Sequence, residues 1–111
     1  MYKQRTGMKK NHIMNRISKS IHEKDPHAEV FLFGSRARGD NRSDSDWDIL
    51  ILTDGEEVTN EMEDNFRDEL HNIELESGQI MSTFIYSKNF WNSSLIYSPL
   101  YKNVLREGIR L

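Results

Sequence analysis

From Gly34 to Leu50 the chain reads Gly-Ser-Arg-Ala-Arg-Gly-Asp-Asn-Arg-Ser-Asp-Ser-Asp-Trp-Asp-Ile-Leu. Two features of this stretch can do chemistry: a glycine-serine turn, Gly34-Ser35, and two carboxylates one residue apart, Asp46 and Asp48. Side chains alternate across an extended strand, so the two carboxylates share a face and lie roughly 6.5–7 Å apart along it. Like charges so placed repel, and a cation between them removes that cost. Hard oxygen ligands suit Mg²⁺ or Mn²⁺, and Mg²⁺ commonly takes one or two protein carboxylates and completes its shell with phosphate oxygens and water. The turn supplies the complement. A glycine without a side chain lets backbone N–H groups approach an anion, Ser35 adds a hydroxyl donor, and a helical turn starting here aims its positive end at phosphate. Arg36 and Arg38 add positive charge, although alternate positions need not both face a ligand, and Gly39 lets the chain leave sharply.

Each half alone is ordinary. Glycine-serine is a common turn, and an Asp-x-Asp pair can be a solvated strand end. Asp40, Asp44 and Asp46 suggest an EF-hand, but the glycine and bidentate glutamate of such a loop are missing at the required offsets, and the segment runs into an apolar strand. Strand–turn–strand order is what joins the halves into one phosphate and metal site.

The surrounding pattern supplies elements to hold that site. Ile13, Ile17 and Ile21, with Met14 beside them, predict an amphipathic helix from about Met8 to Glu23, stopped by Asp25-Pro26. Ala28 to Phe33 is a short apolar strand ended by Gly34, Ser35 to Arg38 one helical turn, and Asp40 to Ser45 a polar loop. Asp46 to Thr53 forms a second strand whose Ile49-Leu50-Ile51-Leu52 run is apolar on both faces, the mark of a central, doubly covered strand. Val58, Met62, Phe66, Leu70 and Ile73 give a second long helix. Gln79 to Tyr86 is a third strand. Ser98-Pro99 opens a last helix stopped by Gly108, with a short edge strand over Gly108 to Leu111. The fold class is α/β (α+β), a mixed sheet of three or four strands flanked by helices.

Bulk properties narrow the function. At 111 residues, 36% hydrophobic and 30% charged, the chain reads as one domain spanning 1–111, with no room for a second domain to select an acceptor. It contains no cysteine, so disulfides and thiolate metal sites are excluded. No apolar run reaches the ~20 residues of a membrane span, and the basic Met1–Lys10 start lacks the apolar block of a secretory signal, which points to the cytoplasm. A net charge of −3 argues against a long nucleic-acid duplex as ligand. A small anion at Arg36, Arg38 and Arg42 stays compatible. Arg42 either assists phosphates or decorates its loop.

Other residues carry less. His12, His22, His27 and His71 show no ligand spacing. Trp47 points away from its flanking aspartates, toward a covering helix. Phe90 and Trp91 read as a helix docking on the sheet before they read as a base-stacking pair, and the acids of Glu56–Glu69 as the wet side of their helix.

Phe33-Gly34-Ser35-Arg36-Ala37-Arg38-Gly39 followed by Ser45-Asp46-Trp47-Asp48 resembles the signature of the DNA polymerase β-type nucleotidyltransferase superfamily, in particular its minimal nucleotidyltransferase (MNT) group. The resemblance implies a palm-like core in which Gly34 and Ser35 hold a nucleoside triphosphate and Asp46 and Asp48 bind the catalytic metals, Mg²⁺ or Mn²⁺. It implies transfer of a nucleoside monophosphate, AMP from ATP or its equivalent from another triphosphate, to a hydroxyl, with release of pyrophosphate. Short members resemble partners of helical HEPN-type proteins in toxin–antitoxin pairs, some adenylylating a tyrosine of that partner.

One departure stands out. The family's third carboxylate belongs on the strand after the second long helix, where this chain reads Gln79-Ile80-Met81-Ser82-Thr83-Phe84, with Ser82 or Thr83 in its slot and Glu74 and Glu76 just upstream. The loss weakens a second metal position and removes a candidate base, so a second reading is a nucleotide-binding antitoxin or regulatory module that acts by partner binding alone. A third, a small-molecule transferase, needs an acceptor pocket at the interface of a homo-oligomer.

Overall fold

Isoleucine at every fourth position, Ile13, Ile17 and Ile21, buries one stripe of the first helix, α1 (Lys10–Lys24), in a computed structural model that describes residues 9–111. Met8, the expected start of this helix, and the basic run before it lie outside the described residues. Asp25 caps the end as expected, its N–H donating to the Ile21 carbonyl.

β1 (Glu29–Phe33) leads into the single turn α2 (Ser35–Arg38), then β2 (Trp47–Thr53) follows the polar loop. α3 (Asn60–Ser77) carries the chain across to β3 (Met81–Ser87). It starts two residues later than Val58, because the Thr59 side chain accepts from Met62 N–H and sets the N-cap there. β3 likewise begins at Met81 rather than Gln79. A short α4 (Lys88–Ser93), α5 (Pro99–Glu107) and β4 (Ile109–Arg110) complete the described chain. Ser98 caps α5 by accepting from Tyr101 N–H, with Pro99 in the first turn.

The four strands form one mixed sheet in the order β3-β2-β1-β4. β1 pairs antiparallel with β2 and with β4, while β2 and β3 run parallel. Alternation along β2 divides the core into two layers. Trp47, Ile49 and Ile51 pack with α1 and α3 through Ile13, Ile17, Phe66 and Leu70. Leu50 and Leu52 face the other way, against Trp91 of α4 and Val104 of α5. This is the doubly covered strand the apolar run requires. Phe33 pairs with Asp48, and Asp48 with Ser82, so the end of β1 and the starts of β2 and β3 meet at one edge. Among the described residues no helix is long and apolar enough to cross a membrane.

Candidate active site

At that edge Gly34 follows β1 with φ 76° and ψ −160°, a conformation that side chains exclude. Its carbonyl accepts from the N–H groups of Ala37 and Arg38, each at 3.0 Å, and the Ser35 carbonyl accepts from those of Gly39 and Asp40. The turn is thereby closed on itself, with the Ser35 and Arg36 amides first in line and without helical partners. Glycine is required here for a second reason. A Cβ at Gly34 would stand 2.1 Å from Oδ2 of Asp48, so the bend and the carboxylate occupy adjoining space. The space that a side chain at Gly34 would fill is taken by the Asp48 carboxylate.

Asp48 lies within β2, partly buried, while Asp46 stands exposed one residue before the strand begins. Ser82 Oγ donates to Asp46 Oδ2 at 3.0 Å from the β3 position in register with Asp48. Burial raises the Asp48 carboxyl pKa from its ordinary value, and the negative charges of Asp46 and Glu107 raise it further, against the pull of Arg38. Ser82 thus links Asp46 to the β3 position that pairs with Asp48. Two oxygen-donor side chains so placed fit a hard divalent cation. Among the described residues no group of three or more His, Cys, Asp or Glu side chains is gathered closely enough to hold a metal ion, which leaves a two-carboxylate set.

On β3, Ser82 stands in register with Asp48 and Thr83 with Ile49. Glu74 accepts from Met81 N–H at 2.8 Å and Glu76 pairs with Arg16 at 2.8 Å, so both upstream glutamates are engaged elsewhere. His71 contacts Glu74 and His22 contacts the Ala28 carbonyl, neither of them at this edge.

The two arginines of the turn part company. Arg38 lies near the carboxylates, hydrogen-bonded to Asp40 at 3.1 Å and to Glu107 at 3.0 Å, and both acids raise its already high pKa. Arg36 is turned to the other face of β2, where its guanidinium carbon lies 5.1 Å from the Trp47 ring centroid. Arg36 also donates to the carbonyls of Ser43 (3.2 Å) and Ser45 (3.0 Å) and to Gln79 Oε1 (2.9 Å), which accepts from Trp47 Nε1 as well. It braces the loop that delivers Asp46, where the sequence alone suggested a phosphate contact. Trp47, 1% exposed, is buried on the face expected of it.

One residue of this edge escaped the sequence reading. Glu107, the last residue of α5, accepts from Gly34 N–H at 2.6 Å, and its side chain is only 8% exposed. The available signal was an acid in the last turn of a helix, where the macrodipole opposes it and a specific partner is needed.

Residues 14–107 match the model of a family described as the nucleotidyltransferase domain. A Methanocaldococcus jannaschii protein named as a protein adenylyltransferase is 34% identical over 80 residues, which cover 72% of this chain and 73% of that protein. A crystal structure of a toxin–antitoxin with AMP-PNP aligns with a TM-score of 0.62 at 21% identity, covering 86% of this chain and 69% of that one. A nucleotidyltransferase structure from Sulfolobus solfataricus gives 0.55 at 20% identity, over 89% and 76%. At such identities the structural likeness is one of fold, and it extends to the four-stranded mixed sheet with its flanking helices.

Proposed function

Because the chain belongs to the nucleotidyltransferase domain family, we propose that it transfers AMP from ATP to a hydroxyl in a Mg²⁺-dependent reaction. The acceptor we propose is a tyrosine of a helical HEPN-type partner protein, which would make this chain the antitoxin of a pair. The observation that carries the reading is the close approach of the Gly34 bend to Asp48, with Asp46 tied to Ser82, the residue in register with Asp48. The named relative, a protein adenylyltransferase, and the toxin–antitoxin neighbour support a protein acceptor.

In this reading the Gly34-Ser35 turn and Arg38 seat the triphosphate, and Asp46 and Asp48 hold the divalent ion. When bound, that ion neutralises phosphate charge and acidifies the attacking hydroxyl. The acceptor oxygen would bond to the α-phosphorus as the bond to the pyrophosphate oxygen breaks, pyrophosphate leaving and the hydroxyl proton passing to water. Phosphoryl transfer depends on positioning and charge neutralisation, which two carboxylates and a rigid turn can provide without covalent help.

Incubation with α-phosphate-labelled ATP, Mg²⁺ and a candidate partner tests this directly. Label should appear on the partner and vanish with Asp46→Asn. The second reading, a partner-binding module without turnover, is favoured by Ser82 standing in register with Asp48 in place of an acid. An intact complex whose partner stays unlabelled would select it.

A further inference from the structure

Glu107 is held at the active edge by the sheet itself. β4 pairs with β1 through Leu32 with Ile109 and Phe31 with Arg110, and continuing that antiparallel register brings position 107 opposite position 34. Gly108 makes the junction tight, since a Cβ there would meet the Val104 carbonyl oxygen at 2.5 Å. The resulting carboxylate sits at the end of α5 where the helix dipole disfavours it, and it is largely removed from water. Gly34 N–H compensates it at 2.6 Å, and Arg38 Nη1 at 3.0 and 3.2 Å; Arg106 lies farther off at 3.8 Å. Hydrogen bonds to a charged acceptor of this kind are the strong ones.

Two consequences bear on the site. The Gly34 amide is engaged by Glu107, so the backbone donors left to a polyphosphate begin at Ser35. And Arg38, whose positive charge is felt at Asp48, is itself paired with Glu107 at 3.0 Å. The Glu107 oxygen that Arg38 contacts at 3.0 Å also accepts from Gly34 N–H, and Gly34 abuts Asp48, so a guanidinium released from Glu107 has Asp48 in the same corner and, collapsed onto it, would occupy a metal-binding oxygen.

We propose that Glu107 is a positioning residue that pins the Gly34 bend and draws Arg38 off the Asp46–Asp48 pair, keeping the carboxylates open to a cation and the arginine open to phosphate. The proposal rests on the nucleotidyltransferase reading of the same edge.

The test is a double-mutant cycle on the whole chain, with the Mg²⁺ requirement for binding a non-hydrolysable ATP analogue read by calorimetry and the fold followed by thermal melting. Glu107→Ala should raise the Mg²⁺ concentration for half-saturation by roughly tenfold. Combining it with Arg38→Ala should return the Mg²⁺ requirement to that of Arg38→Ala alone, because the competing guanidinium is gone. Glu107→Gln keeps an acceptor for Gly34 N–H and loses the ion pair, so it folds and still shows the raised Mg²⁺ requirement. Variants with wild-type Mg²⁺ dependence, or strictly additive effects at positions 38 and 107, would overturn the role of Glu107 while leaving the site intact. A wild-type chain that binds no analogue with Mg²⁺ would instead overturn the reading beneath it.

Discussion

A bend that accepts no side chain and a carboxylate that fills the space so left define this site at the scale of single residues. The 2.1 Å approach of a Cβ at Gly34 to Asp48 means that even alanine must displace the carboxylate, in addition to about 1–3 kcal/mol for a glycine-only backbone conformation. Gly34→Ala should therefore lower the melting temperature and abolish nucleotide binding together, and a variant with wild-type melting and affinity would contradict the packing described. Asp48 makes an opposite prediction. Burial, with Asp46 and Glu107, lifts its pKa above the ordinary 3.8. A carboxyl raised on folding contributes stability while protonated and loses that contribution as pH rises through its folded pKa. At neutral pH the ionised group thus lowers the stability of the metal-free protein. Asp48→Asn should melt higher than wild type near about pH 7, and the gap should close at about pH 3.5, where wild type is protonated as well. Equal melting at both pH values would remove the electrostatic strain from the account. Sequence spacing alone suggested a shared face for Asp46 and Asp48. It could not disclose which arginine faces them, since that depends on Trp47 offering Arg36 a ring and Gln79 an acceptor from the other side of β2.

Among the elements, β2 carries both the core and the chemistry. Its apolar run was readable because no strand exposed on one face needs four consecutive aliphatic residues, and Ile49 and Leu50 do enter opposite layers. Ile51, fully buried in the layer of α1 and α3, should cost about 2–5 kcal/mol when truncated to alanine, measured as a shift in the urea unfolding midpoint. A loss below about 1 kcal/mol would mean that this layer is not the packed core. Caps were equally readable: Ser98-Pro99 and Gly108 bound α5 as their types demand. Glu107 was not, because its partner lies 73 residues away and only the β1–β4 register brings the two together. The edge strand was expected from Gly108 to Leu111, but nothing local said which strand it would join.

For the molecule as a whole, the charge distribution separates a local anion site from a nucleic-acid surface. The net charge is −3, and Arg36 is tied into the loop that precedes β2. Duplex DNA should consequently show no mobility shift at about 0.15 M salt, and retention there would contradict this expectation. The four-stranded sheet gathers its reactive groups at one edge, and the central claim is that this edge holds a triphosphate through a divalent cation. Its most direct test is calorimetric titration of ATP into wild type and Asp48→Asn, each with and without Mg²⁺. Binding by wild type only when Mg²⁺ is present, weakened at least about tenfold in the variant, is the predicted result. Equal affinity in all four titrations, or Mg²⁺-dependent binding that survives the loss of Asp48, would contradict it.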